Sequence, residues 1–449
     1  MNAQILTYWD WLLAPFYLLA IYVIASYIKN RKINDNSIYK FFLWGLFAKI
    51  FGSICVCLIY VYYYNEGGDT LSYHKDGIAM VNLLFYSPLD FFKVMFSPFQ
   101  KEYLSYFTNE TGFLEYWRNP QAFNTDRFVT LLELIGMKSY LVSSVLMAVL
   151  SFTGIWKLYF TFCECYPKLY KQFAISILFI PSVVFWGSGL LKDSLTLAAA
   201  GWYVYSFYRV FISRHKMTSN IITIVISILV MIMIKPYIFI GLLPGSILWM
   251  TWNRLLKIKN LMFRILVAPI IAGGGILIGT LLWMTTSSNL GEYTDMDSIV
   301  KKAHISYSDL KMDYYHGNSF DIGDYDPTLS GMLSKFPQAV NAGLFRPYIW
   351  EAKNPVMVVS GLENLIFLSL TLFFLIRRPV SFITSLFTNP LVLFSIIFGV
   401  FFAFSVAIST SNFGAMVRLR IPAIPFFLSG IILIEYLSRE KEQNKKKIN

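Results

Sequence analysis

Apolar residues in this chain come in long unbroken runs separated by short polar punctuation, with neither the two-residue alternation of half-buried strands nor the narrow stripe of a surface helix. The runs cover residues 11–28, 41–64, 141–162, 173–186, 190–208, 221–234, 238–252, 265–283, 356–376, 391–408 and 421–437. Many are close to the roughly 20 residues a helix needs to cross about 30 Å of hydrocarbon. The pattern predicts an all-α polytopic membrane protein with about eleven transmembrane helices in one integral membrane domain, residues 1–449. Two long stretches interrupt it, at about 65–126 and 286–350, and a lysine-rich tail closes it at 438–449. The two closely spaced pairs of runs, 173–186 with 190–208 and 221–234 with 238–252, are short enough to be re-entrant or strongly tilted. The run Gly273-Gly274-Gly275 is expected to permit close helix contact.

Composition sharpens the class. Hydrophobic residues make up 56% of the 449, and charged residues only 14%, against about 25% in a soluble domain. The formal net charge is +12, which in a soluble protein would point to nucleic acid. Here no basic, aromatic-interleaved face is present, and the surplus sits in short loops. With the N-terminus outside and eleven spans, the short inner segments hold 21 of the 38 Lys and Arg residues. Both long stretches then fall outside. Each carries eight acidic and four basic residues, counted through Asp126 and through Phe345. That distribution obeys the positive-inside rule. The first apolar run lacks the basic lead and small-residue cleavage site of a signal peptide. Cys55, Cys57, Cys163 and Cys165 form two Cys-x-Cys pairs in or near apolar segments. They fit buried thiols better than a zinc site, which wants Cys-x2-Cys and further ligands.

The polar residues beside the runs carry the candidate chemistry. In this orientation Asp69, Lys192, Asp193, Lys235, Arg346, Glu351, Arg418 and Arg420 lie at or near the outer face, and they are expected to converge on one polar site. Each also has an ordinary structural role open to it. Lys192 and Asp193 can cap a helix, Lys235 before Pro236 can snorkel, and Arg418 and Arg420 can anchor the last span. Taken together, cations beside membrane spans suit phosphate, which Arg grips through a planar fork and Lys as a point charge. A lipid pyrophosphate has its head at the interface and its tail among helices. Asp69, in Gly67-Gly68-Asp69-Thr70, could then take a proton from an attacking sugar hydroxyl, with the cations offsetting charge on the leaving pyrophosphate. As structure alone, the same stretch is an Asx-type turn with a helix cap.

The second long stretch mixes acids and tyrosines in Asp313-Tyr314-Tyr315-His316-Gly317 and in Asp321 to Asp326. It suits a sugar-binding surface or a solvated acidic loop. Asp321, Asp324 and Asp326 lack the spacing and terminal Glu of a calcium loop; no cofactor is expected, and a divalent metal is left open but not indicated. Glu363 falls inside an apolar run, where a carboxylate is paired or functional.

The plan of spans and two large outer loops resembles the polytopic polymerases of bacterial surface polysaccharides, the Wzy-type and EpsG-like proteins, within the wider GT-C class of lipid-linked-sugar glycosyltransferases. Locally the resemblance lies in Gly68-Asp69 followed by Tyr73, in Gly189-Leu190-Leu191-Lys192-Asp193, and in Val417-Arg418-Leu419-Arg420-Ile421-Pro422. The Asp-Glu pair that many GT-C enzymes show in the first outer loop is not found, since Thr70 follows Asp69. The resemblance implies a GT-C-like fold in the bacterial cytoplasmic membrane, N-terminus outside and C-terminus inside. It also implies transfer or polymerisation of sugar repeat units carried on undecaprenyl pyrophosphate, for O-antigen, capsule or exopolysaccharide. Asp69 would be the base; Lys192, Lys235, Arg346, Arg418 and Arg420 would hold pyrophosphate; Asp193, Tyr73 and Glu351 would support them. Partners would be the lipid-linked glycan, membrane lipids and other polysaccharide-assembly proteins, without nucleic acid. A transporter or flippase of a lipid-linked or anionic substrate, and a non-catalytic cell-envelope scaffold, are the other two classes the residues allow.

Overall fold

A computed structural model describes residues 5–64, 68–98, 100–255, 257, 263, 267, 270, 271, 273–275, 277–281, 296–312 and 318–448. The stretch Asp313 to Gly317, Gly67, and most of the expected span 265–283 lie outside the described residues. The chain is all-helical, with no strand among the described residues. Six helices there are long and apolar enough to cross a membrane: 8–32, 37–63, 140–165, 217–234, 355–377 and 390–409. A bent pair, 413–419 with 424–443, makes a seventh if it is one broken span. These are the helices of a multi-pass membrane protein. They account for fewer uninterrupted spans than the eleven apolar runs, and proline explains part of the difference. The run 173–186 breaks at Ile180, whose extended backbone precedes Pro181 and leaves a helix of only six residues, Pro181–Trp186.

The chain forms two compact units. The first comprises Met1–Ser206 and Thr218–Lys235. It contains α1 (Tyr8–Lys32), α2 (Phe42–Leu58, continued by a π-helical turn to Tyr63), α3 (Asp69–Tyr86), α4 (Pro88–Phe96), α5 (Pro120–Ile135), α6 (Tyr140–Cys165), α7 (Pro181–Trp186), α8 (Lys192–Phe207) and α9 (Met217–Ile234). The stretch 65–126, expected as a loop, is therefore mostly helical. Helices α3, α4 and α5 enclose an apolar core of Met80, Leu83, Phe91, Val94, Phe107, Leu114 and Phe123. Burial of that cluster, at about 25 cal/mol per Å² of apolar surface, is what makes the segment a folded body. Helix α1 is tied down at its start. The buried Asp10 carboxylate accepts from the Thr7 amide and hydroxyl, the Ser139 hydroxyl and the Leu141 amide, and so joins the first turns of α1 and α6. Helices α6 and α8 touch backbone to backbone. A Cβ on Gly154 would sit 2.2 Å from the Ala198 carbonyl oxygen, and one on Gly201 2.1 Å from that of Gly154. Only glycine allows this approach, which is how membrane helices gain van der Waals contact.

The second unit comprises Phe207–Met217 and Pro236–Asn449. It contains α10 (Pro236–Leu255), α11 (Met296–Asp309), α12 (Leu329–Ser334), α13 (Phe336–Phe345), α14 (Pro355–Arg377), α15 (Pro379–Leu386), α16 (Pro390–Ser409), α17 (Phe413–Leu419) and α18 (Ile424–Ile448). Helix α16 is central, packing against α10, α13 and α18. Among the described residues, Gly275 is the one of the three consecutive glycines whose Cβ position meets a neighbour, at Pro244 of α10, and Gly273 and Gly274 meet nothing within 4 Å. The segment before α12 folds onto the start of α17 through the amides of Phe320 and Phe413, which donate to the carbonyls of Ser411 (2.7 Å) and Asn318 (3.0 Å).

Candidate acid–base site

Between α7 and α8 the chain turns at Gly187-Ser188-Gly189, and the turn is fastened from three sides. Lys49, buried in α2, donates from Nζ to the carbonyls of Val183 (3.1 Å) and Gly187 (2.6 Å). Ser151 of α6 also donates to Gly187 O (2.6 Å), and Ser194 to Gly189 O (2.6 Å). The Gly187 amide also donates to Val183 O (3.2 Å), and the lysine's charge suits the carbonyl end of the helix. The turn delivers Lys192 as the first residue of α8, half-buried, with Asp193 buried behind it. Asp193 forms a buried ion pair with Lys235, the residue between α9 and α10. The structure thus joins two residues 42 positions apart that the sequence had proposed for the same site.

The other half of the first unit's polar region is an acidic face shared by α3 and α5. Gly68 precedes α3 with φ +116°, which suits glycine, and places Asp69 at the first helical position. The Tyr116 hydroxyl donates to Asp69 Oδ1 at 2.8 Å. The Tyr73 ring, buried one turn on, lies 4.9 Å from the Tyr116 ring. Tyr116 is aimed by Asp76, whose two carboxylate oxygens accept the backbone amides of Glu115 (2.7 Å) and Tyr116 (2.9 Å). Burial, reinforced by the charge of Asp69, keeps the Tyr116 hydroxyl protonated. Asp126 on α5 is fully buried beside Asp76, and Lys192 supplies positive charge to it. Among the described residues, neither Asp126 oxygen has a hydrogen-bond donor. Burial, and then the neighbouring Asp76 charge, push the Asp126 carboxyl well above the usual range. Burial likewise raises Asp76, to about 6, against the opposing effect of its two amide bonds. A turn away, His74 Nδ1 bonds Glu133 Oε1 at 2.8 Å, and Lys75 pairs with Glu115 at 3.0 Å on the exposed side.

In the second unit, Arg346, Glu351 and Arg420 are engaged within the protein. Arg346 makes a bidentate pair with Glu351, donates to Asp321 O (3.1 Å), and stacks over Phe320 and Phe413 at 5.3 and 5.4 Å. Arg420 occupies the 67° break between α17 and α18 and is fully buried. Its guanidinium donates to Gly343 O (3.0 Å) and Arg346 O (2.8 Å), at the C-terminal end of α13, and to the Asn364 side chain. Asn364 in turn donates to Pro347 O (3.0 Å). Glu363, the carboxylate inside an apolar run, interacts with the Arg420 guanidinium and supplies its counter-charge. Arg418 is half-buried on α17. Asp321 and Asp324 of the second long stretch are also partnered. Asp321 accepts from Tyr307 (2.8 Å), Lys311 (2.9 Å) and the Gly323 amide (2.8 Å), and Asp324 lies 3.5 Å from Lys311. Burial alone would raise Asp321; these bonds bring it down to about 2.

Sequence reasoning missed Lys49, Asp76, Tyr116, Asp126 and Asn364. A signal existed for one of them: Asp69, Tyr73 and Asp76 stand at i, i+4 and i+7, one face of a helix. Among the described residues, no group of three or more His, Cys, Asp or Glu side chains is placed to hold a metal ion. No family model, no curated protein and no solved structure matches this chain.

Proposed function

We propose that this chain is a membrane glycosyltransferase that adds sugar units from a lipid-linked pyrophosphate donor at the outer face of a bacterial cytoplasmic membrane, building long polysaccharide chains. In this reading the N-terminus is outside, the C-terminus is inside, and the short helices beside the longer ones complete a GT-C-like plan. The observation that carries it is the bond from Tyr116 to Asp69, which holds a half-buried carboxylate in a fixed orientation at the start of α3. An ionised carboxylate so placed suits a general base. The acceptor hydroxyl gives its proton to Asp69, its oxygen bonds the anomeric carbon, and the bond from that carbon to the pyrophosphate oxygen breaks. The electron pair leaves with the pyrophosphate. Lys192, at the first turn of α8, offers it positive charge.

The test is glycan chain length in a deletion strain complemented with wild type, Asp69→Asn or Tyr116→Phe, with membrane levels of each checked. Asp69→Asn at normal level should leave single repeat units, and Tyr116→Phe should shorten the chains. Long chains in the deletion strain itself would sink the reading and bring transport forward. Transport has one observation in its favour, the buried carboxyl pair of α3 and α5, since such pairs bind protons.

A further inference from the structure

We infer that Asp76 and Asp126 bind one proton between them, giving the first unit a proton-exchange site beside Lys192. Asp126 is fully buried, and among the described residues neither of its oxygens is met by an N–H or O–H. Its neighbour on α3 is another carboxylate, Asp76, also fully buried. The two Asp76 oxygens are already committed to the amides of Glu115 and Tyr116. Two ionised carboxylates side by side in a buried place repel, and a donorless one pays the full cost of desolvation. A single proton removes both penalties, because it turns one acid into the donor the other lacks. The remaining negative charge then faces the positive charge of Lys192.

The charged groups around the pair are otherwise engaged, Glu133 through one oxygen only, its Oε2 having no donor among the described residues. On α3, Asp69 is held by Tyr116, His74 by Glu133, and Lys75 by Glu115. On α5, the Arg127 guanidinium turns to the carbonyls of Val94 and Ser97 and the Asn124 side chain. From α4, Asp90 and Lys93 pair with each other at the surface. From α8, Asp193 is neutralised by Lys235. Each of the other buried aspartates of this unit therefore has donors that favour its ionised form: Asp10 four of them, Asp193 a lysine. The upward displacement of both carboxyls by burial agrees with the geometry. The site does not depend on the sugar-transfer reading.

The experiment is infrared spectroscopy of the full-length chain in lipid nanodiscs, unlabelled and with ¹³C-carboxyl aspartate, in H2O and D2O from pH 5 to 9. The expected result is a protonated-carboxyl stretch at pH 7 that shifts with the aspartate label and with D2O. It should fade at alkaline pH and be missing in Asp126→Asn. Absence of an aspartate-sensitive protonated band in the wild type at pH 7 overturns the inference, and this readout needs no variant to fold. Persistence of the band in a folded Asp126→Asn protein overturns it equally. A band that behaves as expected in a protein without glycan-lengthening activity would keep the proton site and remove the transferase.

Discussion

Replacing Arg420 with alanine should cost the fold of the second unit rather than a substrate contact. The side chain is fully buried, and its guanidinium serves Gly343 O and Arg346 O besides the Asn364 side chain. Gly343 is among the last residues of α13, whose final carbonyls have no donor within the helix. Arg420 therefore caps α13 from the break that precedes α18. Two backbone carbonyls left without donors cost about 1–3 kcal/mol each. Glu363 would also lose its counter-charge. Relief of the guanidinium's own desolvation offsets part of this, and the net loss should be on the order of 3 kcal/mol. Lysine should rescue little, since one ammonium cannot reproduce the planar fork that spans three acceptors. The assay is the thermal unfolding midpoint of the purified chain in detergent, with Arg418→Ala as the comparison. Arg420→Ala and Arg420→Lys should both unfold early. An unchanged midpoint for Arg420→Ala would refute the capping argument and return Arg420 to the list of ligand-binding cations.

Two further outcomes follow from the first unit. Gly154→Leu should force α6 and α8 apart, because even a Cβ there overlaps the Ala198 carbonyl; overpacking of this kind costs about 1–3 kcal/mol, read as a lower unfolding midpoint, and an unchanged one would show that the helices separate freely. Stability should also fall as pH rises. Asp76 is raised from 3.8 to about 6, so the folded state holds its proton more tightly than the unfolded chain. Its contribution is fully present below the unfolded value of 3.8 and is lost as pH rises through about 6, and Asp126, raised well above the same unfolded value, carries the fall to higher pH. Unfolding midpoints between pH 4 and 8 should trace that fall, and replacing both Asp76 and Asp126 with Asn should flatten it; a wild-type profile that rises across this window contradicts the burial of the pair.

The long helices were legible because twenty apolar residues in a row have few other fates. The first long stretch was misread as a loop for an equally physical reason. The buried sides of α3 and α5 include Thr70, His74, Asp76, Asn124, Asp126 and Glu133, so an apolar count sees polar chain where the fold has an interior. The same polarity hid Asp76 and Asp126. Lys49 was missed because a lone lysine in an apolar run resembles an interfacial residue, although it bonds carbonyls 134 and 138 positions away.

By itself, the sequence determined the class of the protein, all-helical and multi-pass, and singled out Asp69, Lys192, Asp193, Lys235 and Arg420 as polar residues that demanded an account. Hydropathy is a local sum and can do that much. Tertiary structure decided what each of them meets. Asp193 faces Lys235, Asp69 faces Tyr116, and Arg420 is spent on the end of α13. A charge in a low-dielectric interior is defined by its nearest partners, and those partners come from distant parts of the chain.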